Sequence, residues 1–246
     1  MSFYRQGPMG PSGPRMNIGV PSLTPMVKTL MIVCGVVWAV QLMAGRFGLE
    51  LGLYLGVCPY YVVRGWVWQP FTYMFLHSRD PFHLLFNMLM LWMFGGELER
   101  LWGSKAFLRY FIISGVGGGI GGTLLGLAAG VPYSLAYTIG ASGAIFGVFV
   151  AYGMIFAERT ILFMLIFPMK ARTMVWIMIG LNAFYLVSQS GGNVSYIAHI
   201  AGGLAGYLYL KRAWRIGEFY KDLKWKLRRR KIKVVPPRDP DDRWLN

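Results

Sequence analysis

Six apolar runs dominate this chain, at about 26–44, 83–102, 107–129, 142–157, 173–188 and 195–210. Each approaches the roughly 20 residues that a helix needs to cross a bilayer's hydrocarbon core. In lipid every backbone polar group must be satisfied internally, which leaves helices and closed barrels as the only spanning structures. Runs of this length predict helices. The expected fold is therefore an all-α membrane protein, a bundle of six transmembrane helices with residues before the first and after the last on the same side. Composition agrees, with 55% hydrophobic residues, 14% charged and a mean hydropathy of +0.46. An ordinary soluble domain is excluded.

Positive residues in short loops stay in the cytoplasm. The loop after the second run carries Arg100, Lys105 and Arg109, and the loop after the fourth carries Arg159, Lys170 and Arg172. Loops 130–141 and 189–194 hold no lysine or arginine, so they should face away from the cytoplasm. From Lys211 onward the chain holds 13 of its 25 basic residues, which explains most of the +15 net charge. The charge thus belongs to membrane topology, and no nucleic-acid partner is expected. Residues 1–25, with Arg5, Arg15 and several Gly and Pro, lack the apolar core of a signal peptide and read as a flexible cytoplasmic leader. Cys34 and Cys58 form neither a disulfide framework nor a metal cluster. The first loop, about 45–82, is rich in aromatics (Tyr54, Tyr60, Tyr61, Trp66, Trp68, Phe71, Tyr73, Phe75) and is expected to lie partly in the outer interface.

Chemistry can be approached by elimination. The three histidines, His77, His83 and His199, do not have the His-Glu-x-x-His spacing of a catalytic zinc site, so no metal or other cofactor is expected. Aspartyl catalysis needs two carboxylates sharing a proton. The acids Glu50, Asp80, Glu97, Glu99 and Glu158 all fall near predicted ends or in loops. What remains is Ser142, in Gly140-Ala141-Ser142-Gly143-Ala144-Ile145-Phe146-Gly147, and His199, in Ala198-His199-Ile200-Ala201-Gly202-Gly203-Leu204-Ala205-Gly206. A serine hydroxyl becomes an effective nucleophile when a base such as histidine takes its proton. Either residue alone has a plain structural reading, as a back-bonded serine or a satisfied polar histidine. Ionisable groups inside spans are functional candidates by default, however, and here two complementary ones share glycine-rich surroundings. With no Asp or Glu in either span, a serine mechanism would be a dyad.

Gly143 and Gly147 are four apart, as are Gly202 and Gly206, which permits close backbone approach between the two helices. His199, Gly202 and Gly206 lie at i, i+3 and i+7, on one face. The glycine run from Gly115 to Gly126 in the third segment reads as ordinary helix packing. Ser142 to Ala157 makes about 24 Å of helix against roughly 30 Å of hydrocarbon, so a helix pinned by Glu158 and Arg159 at the cytoplasmic interface starts below the outer surface. In the second segment His83 and Asn87 stand at i and i+4 near the outer end. They could donate hydrogen bonds to a developing oxyanion beside the Ser142 amide, or simply cap a span.

Together these residues resemble the rhomboid family of intramembrane serine proteases over about 60–210. The resemblance is carried by Trp68 through Thr72, His77, His83 and Asn87, Gly95-Gly96 with Glu99, the Gly-Ala-Ser-Gly run, Pro168 through Arg172, and Ala198-His199 with Gly202 and Gly206. It implies Ser142 as nucleophile, His199 as general base and then acid, and His83, Asn87 and the Ser142 amide as oxyanion stabilisers. Gly140, Gly143, Phe146, Gly202 and Gly206 would support the site. It also implies a six-helix protease domain over 26–210 whose fifth helix and overlying loop admit substrate laterally. The substrates implied are transmembrane helices of other proteins, which must unwind locally because a carbonyl inside a regular helix is shielded. Gln69 stands where the family often has arginine, and Phe146 where tyrosine is common.

In the tail over 211–246, Ile216, Phe219, Tyr220, Leu223 and Leu227 fall at helical spacing among basic residues, which reads as an amphipathic helix on the anionic inner leaflet. A compact six-span chain of this kind fits a prokaryotic plasma membrane. The expected function is an intramembrane serine endopeptidase. The alternative is a catalytically silent rhomboid-like protein that binds transmembrane helices.

Overall fold

The computed structural model describes residues 22–131, 133–163, 166–188 and 196–212. Most of the expected leader, and the tail beyond 212 with its expected amphipathic helix, lie outside the described residues.

All six apolar runs are helical. The first is α1 (Pro25–Arg46), which opens with proline at its first position, where the missing N–H costs no intrahelical bond. The aromatic loop folds as three short helices, α2 (Leu51–Leu55), α3 (Pro59–Val62) and α4 (Gln69–Thr72), with a 3-10 turn at Tyr73–Phe75. The second run is α5 (Pro81–Met90) and α6 (Gly96–Trp102), joined by a π-helical turn over Leu91–Gly95. Then come α7 (Ser104–Ala128), α8 (Ser142–Ile155), α9 (Ala171–Val187) and a helix α10 over 196–212. By length and composition α1 and α7 are each able to cross a membrane, while α8 and α9 are shorter apolar helices.

One segment departs from the all-α expectation. The loop between the fourth and fifth runs contains an antiparallel hairpin of β1 (Thr160–Phe163) and β2 (Phe167–Lys170), in register from Thr160 opposite Lys170 to Phe163 opposite Phe167. The ladder pairs backbone groups of the two strands with each other.

Helix α8 forms the centre: every residue from Gly143 to Gly153 is buried. By contrast α1 exposes Ile32, Val36, Val40 and Met43, and α9 exposes Trp176, Leu181, Phe184 and Val187. Apolar faces of this kind belong against lipid. The start of α1 is held by Glu99 of α6. Its buried carboxylate accepts from Met26 N at 2.8 Å, Val27 N at 2.9 Å and Ser104 Oγ at 2.6 Å, and from the Thr24 hydroxyl. A negative group on these amides satisfies two donors that the first turn cannot pair itself.

Candidate active site

The chain enters α8 through a turn that only glycine adopts easily: Gly140 has φ +127°, and its N–H donates to Tyr73 O at 3.0 Å. A side chain there would also come within 3.0 Å of His83 Nε2. Gly140 therefore lets the histidine approach the helix start. Ser142 is the first residue of α8, where the first-turn amides have no intrahelical acceptors.

Across from it, α10 presents His199. Its Nε2 lies 2.6 Å from Ser142 Oγ, and its Nδ1 lies 2.8 Å from Asn182 Oδ1 on α9. The Phe146 ring, one turn after the serine, stacks on the imidazole at 5.5 Å between centroids and 6° between planes. The missing tyrosine hydroxyl leaves that stack intact. Gly202 and Gly143 allow this approach, since a Cβ on Gly202 would collide with the Gly143 carbonyl. Gly206 departs from the expected α8–α10 seam: a Cβ there would meet the Tyr110 hydroxyl and, at 2.8 Å, Ser114 Oγ, both on α7. The α7 glycines also contribute, because side chains at Gly117 and Gly121 would strike Ala205 and Ala201 of α10. The close packing is thus three-way, among α7, α8 and α10.

His83 Nδ1 accepts from Ser78 N at 3.1 Å. In a neutral ring the proton then sits on Nε2, the nitrogen turned toward Gly140. One Asn87 N–H donates to His83 O at 2.7 Å, which leaves the second amide hydrogen of the pair. The candidate oxyanion donors therefore stand on one turn of α5.

Two first-loop residues differ from the interfacial aromatic expectation or extend it. Tyr73 is buried at 1% exposure, its hydroxyl donating to Gly115 O at 2.8 Å, whereas Trp68 and Phe71 are exposed. Gln69 is fully buried and supplies loop hydrogen bonds itself, accepting from Cys58 N at 3.0 Å and donating to Tyr54 O at 3.4 Å. Among the described residues no group of three or more His, Cys, Asp or Glu is placed to hold a metal. Asn182 carries no local motif that pairs it with His199, 17 residues away on another helix. The available signal was a buried-type polar residue inside an apolar run.

Comparison with known proteins places the chain in a family. The rhomboid domain model matches residues 64–215, well over half of the chain. The chain belongs to the rhomboid family, and with it to the helical membrane proteins. Its relatives include the rhomboid-family protein YdcA of Bacillus subtilis, 34% identical over 60% of this chain and 67% of the relative. Rhomboid protein 1, mitochondrial, of Saccharomyces cerevisiae is 29% identical over 53% of this chain and 38% of its own length. Rhomboid protease GluP of Bacillus subtilis is 32% identical over 59% of this chain, but only 26% of that protein is covered.

Proposed function

We propose that this protein is an intramembrane serine endopeptidase that cleaves transmembrane helices of other proteins. The carrying observation is the 2.6 Å contact between Ser142 Oγ and His199 Nε2, at the mouth of a buried helix in a rhomboid-family chain. In this reading His199 takes the Ser142 proton as Oγ attacks the scissile carbonyl carbon. The resulting oxyanion receives hydrogen bonds from His83 Nε2–H, the free N–H of Asn87 and the Ser142 amide. Collapse breaks the peptide C–N bond, His199 gives its proton to the leaving nitrogen, and an acyl-enzyme ester remains on Ser142. Water then attacks the ester with His199 again as base, releasing the carboxyl product and returning the proton to Ser142.

The same reading arranges the six helices as six spans over 26–210, with residues 1–25 and 211–246 in the cytoplasm and the basic tail on the inner leaflet. Ser142 then lies below the outer surface: the 14 residues of α8 give about 21 Å of helix against roughly 30 Å of hydrocarbon. Water must reach that depth through a cavity enclosed by protein.

The test is labelling of purified protein in detergent and in lipid with a fluorophosphonate, beside cleavage of a model transmembrane-helix substrate. Wild type should label and cleave, while Ser142→Ala and His199→Ala lose both, and His83→Ala loses about 10²–10³ in kcat. A folded wild type that neither labels nor cleaves would instead support the helix-binding, silent alternative.

A further inference from the structure

Among the described residues the ring nitrogens of His199 have two hydrogen-bond partners, and only one belongs to the dyad. Its Nδ1 meets Asn182 Oδ1 at 2.8 Å. Asn182 has its own amide orientation fixed from behind, because its Nδ2 donates to Met178 O, one turn earlier in α9, at 2.8 Å. Turning the amide over would set Oδ1 against that carbonyl, oxygen against oxygen. The oxygen is therefore the atom that faces the imidazole, and an oxygen there can only accept. Nδ1 must carry a hydrogen to complete the contact, which in the neutral ring leaves Nε2 with its lone pair toward Ser142.

Among the described residues nothing else around the ring makes this selection. Phe146 stacks on one face, and Tyr196 meets the ring edge-on at 6.2 Å and 85°. These contacts restrain the plane, but they are blind to which nitrogen holds the proton. Burial sets Asn182 apart from its neighbours in the second half of α9. It is 9% exposed, while Leu181, Phe184 and Tyr185 around it are open. An amide also orients the base without adding a net charge to an apolar helix, where a carboxylate is costly.

The geometry points to Asn182 as the positioning residue of the general base: it holds the Nδ1–H tautomer of His199, so that the working constellation is Ser142, His199 and Asn182 rather than a dyad. This rests on the peptidase reading of Ser142 and His199. Holding the right tautomer is the role that the third member of a serine triad performs.

The experiment compares wild type, Asn182→Leu, Asn182→Asp and Ser142→Ala in detergent. Two readouts are taken: the second-order rate of inactivation by one fluorophosphonate, and imidazole ¹⁵N spectra with the His199 signal assigned by its loss in His199→Gln. Asn182→Leu should react roughly 10–100-fold more slowly, and Asn182→Asp, which keeps an acceptor at the same place, should return most of the rate. In wild type the His199 spectrum should show a protonated Nδ1 and an unprotonated Nε2, a pattern that averages between tautomers in Asn182→Leu. An Asn182→Leu protein as reactive as wild type would overturn the proposal, as would a wild-type ring protonated on Nε2. The wild-type spectrum decides even if Asn182→Leu fails to fold. A wild type no more reactive than Ser142→Ala would sink the peptidase reading itself, whereas Ser142-dependent reactivity that ignores position 182 sinks only the role of Asn182.

Discussion

His77 sits in the first loop with its ring buried to 1% exposure, and neither ring nitrogen has a hydrogen-bond partner among the described residues. Its backbone is gripped instead by Gln41 of α1, whose Oε1 accepts from His77 N at 3.0 Å and whose Nε2 donates to His77 O at 3.2 Å. Burial, and then the neighbouring His83, lower the His77 pKa to about 4. The folded protein therefore disfavours the protonated form. The associated stability is fully present above the ordinary value near 6.5 and is lost as pH falls toward 4, for a total of about 3 kcal/mol. Melting temperatures of wild type and His77→Phe in detergent, taken from pH 7.5 down to 4, should converge or cross on acidification because the variant lacks this titration. Parallel curves would show that the ring is not held neutral. The sequence placed His77 in the right loop through the resemblance, but burial of a loop histidine depends on Gln41, 36 residues away, and no local pattern announces that contact.

At the level of elements, spacing told which residues share a helix face and not which neighbour that face meets. His199, Gly202 and Gly206 do lie on one side of α10, yet Gly202 packs on Gly143 of α8 while Gly206 packs on Tyr110 and Ser114 of α7. The hairpin at 160–170 was hidden for a similar reason: strands of four residues carry too little periodicity to be read. The role of Asn182 is not legible in the sequence for the same reason, since its contact with His199 is a matter of how α9 packs on α10. The glycine seam can be tested by one pair of substitutions. Gly202→Ala drives a methyl into the Gly143 carbonyl, a backbone group that cannot swing aside, and should cost about 1–3 kcal/mol of stability. It should also abolish fluorophosphonate labelling, since the strained contact adjoins Ser142 and lies one turn from His199. Gly35→Ala on α1 has open space around the new methyl and should stabilise by about 0.5–1 kcal/mol. Unfolding in mixed detergent and SDS reads both changes; equal effects would mean that the seam is loose.

Charge is divided along the whole molecule in a way that fits one orientation in the bilayer. Arg159 pairs with Glu97, Lys170 bonds Glu158 at 2.8 Å, and Arg172 also pairs with Glu158, so the hairpin with its flanking residues and the first turn of α6 form one charged rim. The Ser142 end of α8 lies a helix length away and follows the stretch 130–141, which holds no lysine or arginine. In the proposed six-span arrangement, positive residues retained in the cytoplasm keep the hairpin inside and the loop before Ser142 outside. Single cysteines at Val131 and Phe167 examine this directly. Both sites are open to solvent, at 76% and 57% exposure, while the native Cys34 and Cys58 are buried and should stay silent toward a polar reagent. In sealed, right-side-out membranes, a membrane-impermeant maleimide should modify Val131→Cys and spare Phe167→Cys until detergent is added. Inverted vesicles should reverse the pattern. Two positions separated by one pass of α8 must report opposite sides if that helix spans the bilayer, so labelling of both from the same face would overturn the six-span arrangement. Labelling of Phe167→Cys alone from the outside would keep the spans and invert them, which would move the Ser142 site to the cytoplasmic half of the membrane.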